Sequence, residues 1–171
     1  MCIRDRDIVD YDGTLTVGAP TVIGGGGGTN MFIYTSPSFS GATLTAAYQN
    51  DGGAAAIADS YHDFAVAISP EMVEGLTLGF ASGEVPVAGT DLAKDNSTMY
   101  VKYAVGGFTV GYQVSESDHD TVSSSLDSVA YGITYAVNDD FSIGYSSHTT
   151  EFDSGASNNT DQESTGISAS Y

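Results

Sequence analysis

At residues 128–137 the chain reads SVAYGITYAV, and every second residue is large and apolar. Val129, Tyr131, Ile133, Tyr135 and Val137 fall on one side of an extended backbone, and Ser128, Ala130, Gly132, Thr134 and Ala136 on the other. Successive side chains of a strand point to opposite faces, so a sustained period of two specifies a strand with one apolar face and one small face. The same alternation runs through 108–115, where Phe108, Val110, Tyr112 and Val114 oppose Thr109, Gly111, Gln113 and Ser115. It runs through 141–148, where Phe141, Ile143 and Tyr145 oppose Ser142, Gly144, Ser146 and His148. It also fits 42–50, 61–69, 76–84, 97–105 and 164–171, with 30–36 a weaker ninth strand. No helical period of useful length competes with it.

The connections alternate as well. Short turns at 37–41, 70–75, 106–107 and 138–140 take turns with long loops at 51–60, 85–96, 118–126 and 152–163. Strict succession of short and long places all short turns at one end of a meander and all long loops at the other. That asymmetry is the one found in outer-membrane barrels. The expectation is an all-β fold: an antiparallel up-and-down meander of eight or nine strands, part of a transmembrane β-barrel.

Composition narrows the function. The chain has 171 residues, a length typical of a single domain, and 41% are hydrophobic, which is not the composition of a disordered chain. Gly at 21, Pro at 4 and Tyr at 11 suit strands and turns. Four Lys and Arg face 22 Asp and Glu, a formal net charge of -18. No basic patch can be assembled, so nucleic acid is excluded as a partner; an acidic surface attracts cations instead. The single cysteine, Cys2, allows no internal disulfide. No apolar run approaches the ~20 residues of a transmembrane helix, and residues 1–10 lack the apolar core of a signal peptide. Residues 1–6, MCIRDR, hold both arginines and the cysteine; they resemble a peptide translated from adapter DNA and are read as non-native.

Periodicity alone leaves two solvents open for the apolar face. In a soluble sandwich it packs on a second sheet; in a membrane barrel it faces lipid, and the small face lines a lumen. Aromatic placement favours the barrel. Tyr34, Tyr103 and Tyr135 shortly precede short turns, and Phe108 and Phe141 follow them. Aromatics gathered at one level are the girdle of a membrane interface. The opposite face is too small to fill a wide barrel, so the lumen holds water or an inserted loop.

The stretch 30–48, NMFIYTSPSFSGATLTAAY, carries a family likeness. Ser36-Pro37-Ser38-Phe39, then Ser40-Gly41 and an alternating strand, resembles the hairpin that follows the third loop of general Gram-negative outer-membrane porins of alphaproteobacterial type. The resemblance implies a sixteen-stranded barrel, a homotrimer, whose third loop folds inward and narrows the pore. Residues 7–29 would then be the remnant of that constriction loop, and 30–171 a partial barrel with earlier strands, leader and last two strands outside this sequence. Porins often place an arginine on the strand after the loop; the matching position here is Ile33, which weakens the basic wall.

The resemblance makes Asp10 and Asp12 the constriction carboxylates, where they would focus a negative field. Lys102, Asp63, Gln113 and His148 fall on small faces and are candidates for the lumen, with Lys102 as its cation. The acidic loop clusters, Asp118-His119-Asp120, Asp91 with Asp95, and Asp161 with Glu163, offer at most a weak Ca²⁺ signal, since no EF-hand spacing is present. No other cofactor is implied. The glycine run at 24–28 lacks the Lys-Ser/Thr that would bind phosphate, and no G-x-S-x-G occurs, so an enzyme is not expected. The expected function is passive diffusion of small hydrophilic solutes through a cation-preferring pore in the bacterial outer membrane, in contact with its lipid and lipopolysaccharide. The alternative is a structural or adhesive β-protein, either a barrel anchor or an acidic secreted sandwich.

Overall fold

The computed structural model describes residues 31–50, 60–86, 93–119, 124–153 and 160–171. Among them lie nine strands: β1 (Met31–Thr35), β2 (Ala42–Gln49), β3 (Tyr61–Ile68), β4 (Leu76–Pro86), β5 (Ala93–Val105), β6 (Phe108–His119), β7 (Ser125–Ala136), β8 (Ser142–Asp153) and β9 (Thr160–Ser170). They form one sheet in sequence order, each strand antiparallel to the next. The expected meander is the observed one. Among the described residues the sheet is not closed, since β1 and β9 each pair with one neighbour.

The short turns show why the chain reverses where it does. Phe39 and Ala42 exchange both backbone hydrogen bonds at 2.9 Å, and between them Ser40 and Gly41 both have positive φ, 49° and 79°. Positive φ at both central residues is the geometry of the primed hairpin turn, whose twist matches that of the strands. Gly106, with φ 58°, opens the two-residue turn from β5 to β6, and Val105 pairs with Phe108 across it.

The strands extend further than their hydropathy predicts. Sequence placed 85–96 in a loop, yet β4 runs to Pro86 and β5 begins at Ala93; likewise β6 enters 118–126 and β8 and β9 enter 152–163. The reason is a change of side chain, not of backbone. Beyond Val114 the apolar face of β6 continues with Glu116 and Asp118, paired with Asp127 and Asp95. Hydropathic alternation stops there, while the hydrogen-bond ladder, which does not depend on side-chain polarity, goes on.

The register decides which residues share a face. Tyr112 lies between Val101 and Tyr131, Val110 between Tyr103 and Ile133, and Tyr135 between Phe108 and Ile143. These residues, with Val129 and Tyr145, form one apolar surface, and it is the exposed one: Tyr112, Tyr131 and Phe108 are 46%, 47% and 48% accessible. The buried side chains belong instead mainly to the small face, Ala47, Ala81, Thr98, Ser128 and Ala130 among them. No large side chain among the described residues is fully buried. A soluble sandwich would bury the Phe, Ile and Val face between two sheets; the described residues form one sheet, and it does the reverse.

Candidate functional site: the small-residue wall

Cross-strand pairing aligns the small face into rows. One runs Ala47, Asp63, Gly83, Asn96, Ser117. A second runs Ala81, Thr98, Ser115, Ser128, Thr150. A third runs Gly79, Tyr100, Gln113, Ala130, His148. A fourth, nearer the short turns, runs Thr77, Lys102, Gly111, Gly132, Ser146.

Polar contacts knit these rows together. Thr98 Oγ1 and Ser115 Oγ lie 2.7 Å apart, and Gln113 Nε2 donates to Ser115 Oγ at 3.3 Å. His148 Nε2 meets the Ser128 hydroxyl and lies 3.4 Å from Thr150 Oγ1. The Tyr61 hydroxyl donates to Asp63 Oδ2. Two glycines make room for larger neighbours. The Tyr100 ring lies over Gly79, where an added Cβ would come within 1.9 Å of its Cε1, and a Cβ on Gly83 would lie 2.6 Å from that of Asp63.

The lumen candidates are all on this face, although not all together. Gln113 and His148 share a row, separated by Ala130. Asp63 is buried in another row, and Lys102 is exposed in the row nearest the short turns. Ile33 pairs with Ala47 and so faces the same way. Asp10 and Asp12 lie outside the described residues. Two polar wall residues were missed by sequence reading because 85–96 was taken for a loop. Asn96 is one; Lys94 is the other, so Lys102 is not the sole cation of this face. Counting back in twos from Lys102 along a longer strand would have placed both.

The acids fall elsewhere. Glu84, Asp95 and Asp118 are cross-strand neighbours on the apolar side at the loop end, as are Glu116, Asp127, Glu151 and Asp161. They point away from the small face, so most of the strand carboxylates behind the net charge of -18 do not line the wall. Like charges directly opposite repel, which demands counter-cations or strong solvation. Among the described residues no three His, Cys, Asp or Glu side chains converge as a metal group. At the other end the aromatics form the expected band. Tyr34, Tyr103, Phe108 and Tyr135 are on the apolar side, and the rings of Phe108 and Tyr135 stack with centroids 4.4 Å apart.

Lipid-suited side chains on the exposed face, a shielded face of Ser, Thr, Gly and Ala, and a meander with short turns at one end define the wall of a transmembrane β-barrel. The chain belongs to the Gram-negative porin family, whose model, described as Gram-negative porin, matches residues 5–171. It is therefore a protein of the bacterial outer membrane, from a family of channels. No curated protein matches the chain.

Proposed function

We propose that the small-residue face lines a water-filled path for small hydrophilic solutes and ions, and that this path favours cations. The observation that carries the reading is the inversion of faces: a single sheet shields Ala47, Thr98, Ser128 and Ala130 while exposing Phe108, Tyr112 and Ile133. Side chains this small leave space beside the wall that water fills.

Cation preference rests on fewer residues than the composition implied. The outward acids sit behind the wall, and their field at the pore axis is screened within about 8 Å at physiological ionic strength. Asp63, buried on the wall, acts at close range, and Asp10 and Asp12 would add to it if residues 7–29 fold inward. Lys94 and Lys102 oppose it on the same face. The outward carboxylates have a different partner in this reading. They stand beyond the apolar band, at the height of outer-leaflet headgroups, where counter-cations shared with lipopolysaccharide phosphates offset their repulsion. A homotrimer is part of the same proposal; an apolar hollow of about 260 Å³ between Val66, Leu78, Phe80, Met99 and Val114 gives the lipid-facing side a surface for another subunit or an acyl chain.

The test is the reversal potential of the intact porin in a planar bilayer under a KCl gradient. K⁺ preference is expected, reduced by Asp63→Asn and by Asp10→Asn with Asp12→Asn. It should shrink at ~1 M salt, where the screening length falls to about 3 Å. An anion-selective potential would overturn the electrostatic part of the proposal, and a protein that forms no conducting pore would overturn the whole.

A further inference from the structure

We propose that Asp63 and Asn96, standing in one row on either side of Gly83, form a subsite for the primary ammonium group of a permeating solute. This deepens the pore reading and rests on it.

Gly83 pairs with Asp63 on one side and Asn96 on the other, so the two polar residues stand two strands apart in one row. Neighbouring strands are ~4.8 Å apart, which separates their Cα atoms by roughly 9.5 Å. A nitrogen hydrogen-bonded at ~2.8 Å to an oxygen from each side bridges such a row. Glycine between them is required. A Cβ there would come within 2.6 Å of the Asp63 Cβ and 2.9 Å of the His62 carbonyl oxygen.

Both flanking residues are 4% accessible, and Oδ1 of each is buried without a hydrogen-bond partner. The other carboxylate oxygen of Asp63 is held by the Tyr61 hydroxyl, which fixes the side chain with one oxygen committed and one open. A buried acceptor left without a donor costs free energy, more so when it carries charge. Two such acceptors in one row call for a ligand that only donates.

The donor set selects the ligand. Hard metal ions take six or more oxygens, and no metal-binding group of three His, Cys, Asp or Glu exists among the described residues. An ammonium group has three N–H donors and no acceptor, so it can serve Asp63 Oδ1 and Asn96 Oδ1 and keep one bond to water. Lys94, half-buried and two positions from Asn96 on the same face, repels a cationic solute and keeps its stay short. A site on a transit path needs binding weak enough to release.

The experiment is block of the K⁺ current through the intact porin by n-butylammonium, compared with tetramethylammonium, which has the charge but no N–H. Block by n-butylammonium alone is expected, weakened about tenfold by Asp63→Asn, which removes the carboxylate charge, and by Asn96→Leu, which removes the acceptor. Asn96→Asp should strengthen it, and this variant carries the test if Asp63→Asn fails to fold. Thr134→Val, elsewhere on the wall, should leave block unchanged. Equal block by the two ions, or block indifferent to Asp63→Asn and Asn96→Asp, overturns the subsite. K⁺ preference over Cl⁻, read in the same membranes, separates the two proposals. Its absence alongside N–H-dependent block removes the general cation preference and leaves the subsite standing. Its presence alongside equal block removes the subsite alone.

Discussion

Placing an arginine at Val110 and, separately, at Thr109 tests the assignment of faces more directly than any conductance can. Val110 pairs with Tyr103 and Ile133 on the apolar side and is 41% accessible. It stands two residues inward of Phe108, beside the short turn, and six before Glu116, the first outward acid of β6, and so within the apolar band on its short-turn side. An arginine facing lipid costs ~2–4 kcal/mol at the midplane and less toward the interfaces, so about 2 kcal/mol is expected here. At 1.4 kcal/mol per tenfold, the folded-to-unfolded ratio falls by roughly 30-fold. Thr109 is the next residue, pairs with Ala104 and Thr134, and faces the other way. There the guanidinium meets water, and a cost of about 0–1 kcal/mol is expected, in line with surface changes generally. Urea titration of the porin folded into phosphatidylcholine vesicles measures both, with the heat-dependent gel shift of a folded barrel as a second readout. Equal cost at the two positions, or a greater cost for Thr109→Arg, would refute the claim that the apolar side meets lipid and the small side meets water.

Other consequences follow from close contacts. Gly79→Val should destabilise the porin by about 1–3 kcal/mol, as overpacking does, because its Cβ would collide with the Tyr100 ring at 1.9 Å; in a Tyr100→Ala background most of that cost should vanish in the same urea titration. Gly41→Ala should cost more than Gly106→Ala. Both have positive φ, which penalises a side chain by ~1–2 kcal/mol, but a Cβ on Gly41 would also come within 2.0 Å of the Ser69 carbonyl oxygen, whereas Gly106 has nothing within 4 Å. Equal losses would show that the contact with Ser69 is relieved by local movement. The Phe108–Tyr135 stack should give a coupling of about 0.5–1.5 kcal/mol in a double-mutant cycle with leucine substitutions, and no measurable coupling would mean that the rings pack independently.

Strand order, the two faces and the end at which the short turns lie were all legible in the sequence. Each is written in local spacing. A period of two at 108–115 and 128–137 can only be an extended chain with opposed faces, and a two-residue turn at Gly106-Gly107 forces β5 and β6 to be neighbours with Val105 opposite Phe108. The placing of Asp63, Lys102, Gln113 and His148 on the small face came from the same parity. Where the strands end was not legible, because polarity changes before pairing does. Residues 93–96 read as the end of a polar loop, and so Lys94 and Asn96 were lost to view.

Tertiary structure alone decided which face is shielded and which polar residues meet. Alternation is symmetric with respect to inside and outside, so only the single sheet, with its Ser, Thr and Ala side the better buried, separates barrel wall from sandwich. The rows depend on register across the longer connections, such as that between β6 and β7. There no tight turn fixes the pairing, and a slip of one residue would carry every side chain to the opposite face. That Gln113 lies opposite Ala130 with His148 beyond, and that Asp63 and Asn96 flank a glycine, follows from backbone pairing between segments far apart in the chain, a relation that no local spacing records.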